Sequence, residues 1–66
     1  MIRVGDDIEL AWRDGLTVQD LLREVPDGPD CAAVRVNGRI VARPLYARTP
    51  VPDGAQVYLV PMIAGG

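Results

Sequence analysis

The residues best suited to chemistry on the chain itself are its last three, Ala64-Gly65-Gly66. Neither glycine carries a Cβ, so this end is narrow and its backbone reaches dihedrals closed to other residues. Another protein's active site could thread it and modify the free carboxylate of Gly66. The plainer alternative is a frayed terminus, because disorder concentrates at chain ends.

Elsewhere the reactive groups do not assemble into a site. Histidine is absent and Cys31 is the single cysteine, so an internal disulfide is impossible and a Cys/His zinc site lacks ligands. Cys31 reads as a reduced, half-buried thiol at a loop or strand start. Asp6-Asp7 and the pair Asp27 and Asp30 resemble catalytic carboxylates, but they sit in turn sequences where aspartate serves local hydrogen bonding. Gly5, Gly15 and Gly28 make no GxGxxG or GxxxxGK pattern, so the chain has no phosphate-cradling loop of its own. The expectation is no catalytic residue, no metal and no cofactor held by this chain.

Composition narrows the partners. Seven arginines and no lysine are scattered among nine acids, for a net charge of −2, which excludes the clustered basic surface that a nucleic acid requires. No run of ~18 apolar residues could span a membrane. The first residues lack the apolar core of a secretion signal, so the expected compartment is the cytoplasm. With 48% apolar residues and no phenylalanine, the core must be built from Val, Ile, Leu and Ala, with Trp12 and Tyr46 or Tyr58 as its large pieces. The chain, 1–66, reads as one small domain with a flexible Gly-Gly tail, near the size at which a single core is barely sufficient.

The elements that must position the tail follow from periodicity. Ile2 and Val4, then Ile8, Leu10 and Trp12, alternate with polar or small residues, predicting a hairpin of strands 1–5 and 8–13 around Gly5-Asp6-Asp7. Val18, Leu21, Leu22 and Val25 switch to the spacing of a helical stripe. Thr17 stands where it caps that helix, Asp20 completes a capping-box pattern, and Leu16 can staple onto Leu21. Pro26, followed by Asp27-Gly28-Pro29, ends it. Ala32, Val34 and Val36 then alternate towards Asn37-Gly38, a two-residue hairpin turn, with Arg39 to Arg43 as the return strand. Leu45 to Thr49 is open between a helical turn and a loop.

Val57 to Ile63 is the longest apolar run, which suits a strand flanked by partners. Pro61 lacks an N–H, so regular pairing is expected to stop near Val60 and the rest to leave as an extended arm that projects Gly65 and Gly66 into solvent. Within this run Val57, Leu59 and Pro61 are expected to be buried. Tyr58, Val60 and Met62 form the exposed set and the candidate docking surface, with Arg39, Arg43 and Arg48 as possible rim contacts. A mixed sheet packed on one main helix, in the order β-β-α-β-β-β, is the α+β architecture that covers these faces.

Val-Asn-Gly-Arg-Ile-Val-Ala-Arg (36–43), the ending Asp53 to Gly66, the length and the element order together resemble the ThiS family, within the wider ThiS/MoaD group of ubiquitin-like β-grasp sulfur carriers. The resemblance covers nearly the whole chain. It implies a β-grasp fold and an E1-like adenylyltransferase of the ThiF/MoeB type that activates the Gly66 carboxylate with ATP and Mg²⁺. It further implies a sulfur donor, such as a cysteine desulfurase persulfide, that converts this carboxylate to a thiocarboxylate, with Gly65 and Ala64 threading the partner. Thiazole synthase in thiamine biosynthesis is the implied acceptor. Pro61 is similar to the proline near the tail of MoaD, which keeps molybdopterin or tRNA thiolation open as destinations. A ubiquitin-like modifier conjugated through Gly66, or a β-grasp binding module with an incidental Gly-Gly end, are the readings outside the carrier class.

Overall fold

The computed structural model describes residues 1–26 and 28–61, Pro29 by its backbone alone. Ile2 and Val4 turn inward on either side of Arg3 and make the first strand, β1 (Ile2–Val4). Gly5, at φ 61, opens the turn, and β2 (Ile8–Leu10) returns antiparallel with Ile2 opposite Leu10 and Val4 opposite Ile8. The second strand stops before residue 13. Trp12 has left the sheet, its indole N–H donating to the Val51 carbonyl at 2.7 Å, and it is 38% exposed. It is therefore not the core piece that its alternation suggested.

The helix, α1 (Val18–Arg23), begins at a complete capping box. Thr17 Oγ1 accepts from the Asp20 amide at 3.2 Å, and Asp20 Oδ2 accepts from the Thr17 amide at 3.2 Å. Six residues do not hold a helix in water, so the burial of Val18, Leu21 and Leu22 against the sheet sustains it. Beyond its end, a 3-10 turn at Gly28–Asp30 folds back onto the last helical turn.

Strands β3 (Cys31–Val36) and β4 (Arg39–Val41) are joined by Asn37 and Gly38 at φ 49 and 85, the two left-handed residues of a tight hairpin. The ambiguous segment after β4 is a 3-10 helix, Arg43–Arg48, with Tyr46 buried beneath it. Bridging bonds from Val18 to Thr49 and from Val51 to Leu16 then fasten its exit to the start of α1.

The last strand, β5 (Gln56–Pro61), takes the middle of the sheet, in the order β2-β1-β5-β3-β4, parallel to β1 and antiparallel to β3. This mixed sheet with one helix across one face is a ubiquitin-like β-grasp. The β3–β5 register shifts between Cys31 and Ala33, so Ala32 is the extra residue of a bulge. Cys31 consequently takes the inward place that the alternation gave to Ala32, and it is 3% exposed while Ala32 faces out. Pairing continues one residue past Val60, to Pro61 opposite Cys31, because at the bulged end of the sheet the missing N–H breaks no regular ladder. Tyr46 is the aromatic side chain of the core, whereas Tyr58 is 44% exposed.

Candidate functional site

Strand β5 leads directly to the Gly-Gly end and is pinned on both sides. Towards β1, the Arg3 amide donates to the Ala55 carbonyl at 3.0 Å and the Gly5 amide to the Val57 carbonyl at 2.8 Å. Towards β3, Asn37 clamps Gln56 twice: its amide donates to the Gln56 carbonyl at 2.9 Å, and its Oδ1 accepts from the Gln56 amide at 2.9 Å. Gln56 Nε2 also donates to the Gly5 carbonyl at 3.2 Å, so one residue ties together the first turn, the Asn-Gly turn and the strand. In the approach to β5 the Met1 ammonium stands 2.6 Å from Asp53 Oδ1, and this hydrogen bond holds the Asp53 carboxyl below its usual value.

Along β5, Val57 is fully buried, Tyr58 is exposed, Leu59 and Val60 are half-buried, and Pro61 is exposed. The alternation is sharp at the start of the strand and fades towards its end, where Pro61 departs from the buried set assigned to it. Met62, Ala64, Gly65 and Gly66 lie outside the described residues, as does the extended arm expected after Val60.

Cross-strand pairing assembles a surface around Tyr58 and Val60 that no local pattern names. Arg35 of β3 is opposite Tyr58 on one side and Ile40 on the other, and Ala33 is opposite Val60. Val34, Val36 and Val57 are buried on the helix side, so Tyr58, Arg35 and Ile40 form a row on the opposite face of the sheet, with Ile40 57% exposed. Ile40 and Arg35 were missed as candidates, yet one signal could have found them. A two-residue Asn-Gly turn fixes Val36 opposite Arg39, and hence Arg35 opposite Ile40. Of the arginines considered for the rim, Arg39 pairs with Val36, whose side chain faces the core, Arg43 donates to the Cys31 carbonyl at 3.1 Å, and Arg48 ends the 3-10 helix after β4.

Residues 2–66 match the family model described as the ThiS family, a match that runs through the terminal glycines. The chain belongs to the ThiS family. Over 52 residues, 79% of each chain, it is 40% identical to the sulfur carrier protein ThiS of Escherichia coli (strain K12). No solved structure gives a significant match.

In this ThiS-family chain the single thiol is held in the core. Cys31 Sγ donates to the Gly28 carbonyl at 3.0 Å and lies 3.8 Å from the Tyr46 hydroxyl. Burial raises the Tyr46 pKa above its ordinary value, the Cys31 contact adds to the shift, and Arg43 opposes it. Next to this cluster is an open cavity of ≈ 270 Å³ lined by Gln19, Leu22, Arg23, Gly28, Arg43 and Tyr46. Among the described residues no three His, Cys, Asp or Glu side chains group to hold a metal, and no helix is long and apolar enough to cross a membrane.

Proposed function

We propose that this chain is a sulfur carrier and a co-substrate rather than a catalyst. An E1-like adenylyltransferase of the ThiF/MoeB type adenylates the Gly66 carboxylate with ATP and Mg²⁺. A carboxylate resists nucleophiles because its leaving group would be oxide; the acyl-adenylate replaces that with AMP. Persulfide sulfur from a donor such as a cysteine desulfurase displaces the AMP to form an acyl disulfide. A second thiol then attacks the donor's sulfur, so that the S–S bond breaks, the donor leaves as a disulfide and a thiocarboxylate remains on Gly66. Thiazole synthase, in the thiamine pathway of the cytoplasm, then takes the sulfur.

The observation that carries this reading is the family match reaching Gly66, together with a relative that is itself a sulfur carrier. The fold supports it. A central strand fixed by Asn37 and Gln56 leads towards the tail, and its pairing with β3 extends to Pro61 on the platform that an activating enzyme grips. Tyr58, Val60 and Met62 are the docking face in this reading, joined by Arg35 and Ile40 in the row through Tyr58. Ala64 and Gly65 thread the enzyme's channel, where a side chain on either glycine would obstruct passage.

Intact-mass spectrometry of the untagged protein, after reaction with its cognate activating enzyme, ATP, a persulfide source and a thiol reductant, tests the proposal. The expected result is a gain equal to the exchange of one oxygen for sulfur, localised to Gly66 and absent from a chain lacking that residue. Isopeptide adducts would mark a protein modifier instead. An unmodified terminus, under conditions that activate a control carrier, would overturn the carrier reading.

A further inference from the structure

The outer face of the sheet holds one charge in an apolar setting. Arg35 is exposed on β3, and its direct neighbours across the strands are Tyr58 on β5 and Ile40 on β4, 44% and 57% exposed. Half-buried Ala33 and Val60 extend the apolar surround. Arg3, on β1 of the same sheet, stands directly opposite Glu9 and so has an acid in cross-strand register. Arg35 has none, and among the described residues it takes part in no ion pair.

Position makes this decisive. Strand β3 lies between β5 and β4, so a partner that covers both Tyr58 and Ile40 must also cover Arg35. A guanidinium that loses water without gaining an anion is strongly unfavourable, whereas one that meets a carboxylate in fork geometry becomes an anchor. Tyrosine and arginine are also among the residue types enriched at interface hot spots, which cluster near the interface centre.

We propose that Arg35 is a specificity-determining residue of the docking face, and that the activating enzyme meets it with a carboxylate set inside an apolar contact surface. This rests on the carrier reading above. The carrier reading supplies the occupant and charge complementarity its chemistry: a neutral or basic surface that closed over Tyr58 and Ile40 would strand the arginine.

The test is steady-state ATP–pyrophosphate exchange by the cognate activating enzyme, with this chain as the varied substrate. Wild type, Arg35→Gln and Arg35→Glu are compared at low and high salt. Truncating one member of a buried ion pair commonly weakens association by about 30-fold or more. Arg35→Gln is therefore expected to raise KM about 30-fold and Arg35→Glu several hundredfold, with kcat for both within about twofold of wild type. The wild-type KM should climb with ionic strength, and the Gln variant should lose most of that slope. Unchanged thermal melts for the Gln variant would separate docking from folding. Active wild type with an Arg35→Glu KM within about threefold of it, or a fall in kcat at constant KM, would overturn the role of Arg35 and leave the carrier reading standing. No exchange with wild type would overturn both.

Discussion

A methyl group at position 28 has no room. An added Cβ there would lie 2.2 Å from the Leu22 carbonyl oxygen and 2.9 Å from its carbon, both backbone atoms that cannot swing aside. Gly28→Ala must therefore pry the 3-10 turn off the end of α1, at a cost of about 2 kcal/mol. In a domain of this size that lowers Tm by roughly 10 °C. A circular-dichroism melt checks it, and a Tm matching wild type would contradict the close approach. The sequence placed the end of the helix at Pro26, whereas α1 stops earlier, at Arg23, and the steric need for Gly28 was not legible, since it depends on how the turn folds back over Leu22. Asn37 shows the same division. Its left-handed φ follows from the Asn-Gly pair, whereas its clamp on Gln56 joins segments 19 positions apart and leaves no local signature.

Helix α1 shows how a six-residue element survives by its start. Hydrogen bonds from the Thr17 backbone, then from its side chain, hold the Asp20 carboxyl below its ordinary value of 3.8, and Arg13 and Arg23 pull the same way. With the folded pKa lowered, the stabilisation is present in full above 3.8 and is lost as pH falls through the folded value. Asp20→Asn should accordingly melt below wild type near about pH 6, with the gap closing as the pH approaches about 2. A gap that ignores pH would mean that the carboxylate charge is irrelevant to the cap. The capping box, the helical stripe and both hairpins were readable because each is written in neighbouring residues. Trp12 and Ala32 misled for the converse reason: a bond to Val51 draws the first out of its strand, and a bulge against β5 turns the second outward.

The sheet order could not be read from period or turn chemistry, because both are silent on which strands meet across the chain. Residue 3 lies beside residue 56, and the core links these ends to Leu21, which is fully buried under the helix. At about 0.05–0.15 kcal/mol per residue such a domain has only a few kcal/mol of stability. Leu21→Ala, costing about 3 kcal/mol, should remove much of it. Urea titration should show the midpoint falling sharply at constant slope; a small shift would mean that the sheet holds without its helix. The site divides along similar lines. Of the proposed site, Gly66 and Tyr58 were named from sequence and the Arg35–Ile40 pair follows from the Asn-Gly turn, while the row that joins that pair to Tyr58 exists only once three strands lie side by side. The central lane of that sheet is also the one the ribosome makes last among the five. Without β5, the pairs β1–β2 and β3–β4 have nothing between them, and each is only a two-stranded hairpin, marginal by itself in water. A chain that stops before β5 lacks the strand that joins its two halves, so it is expected to stay open to proteases, and limited proteolysis of residues 1–55 beside the full chain checks this.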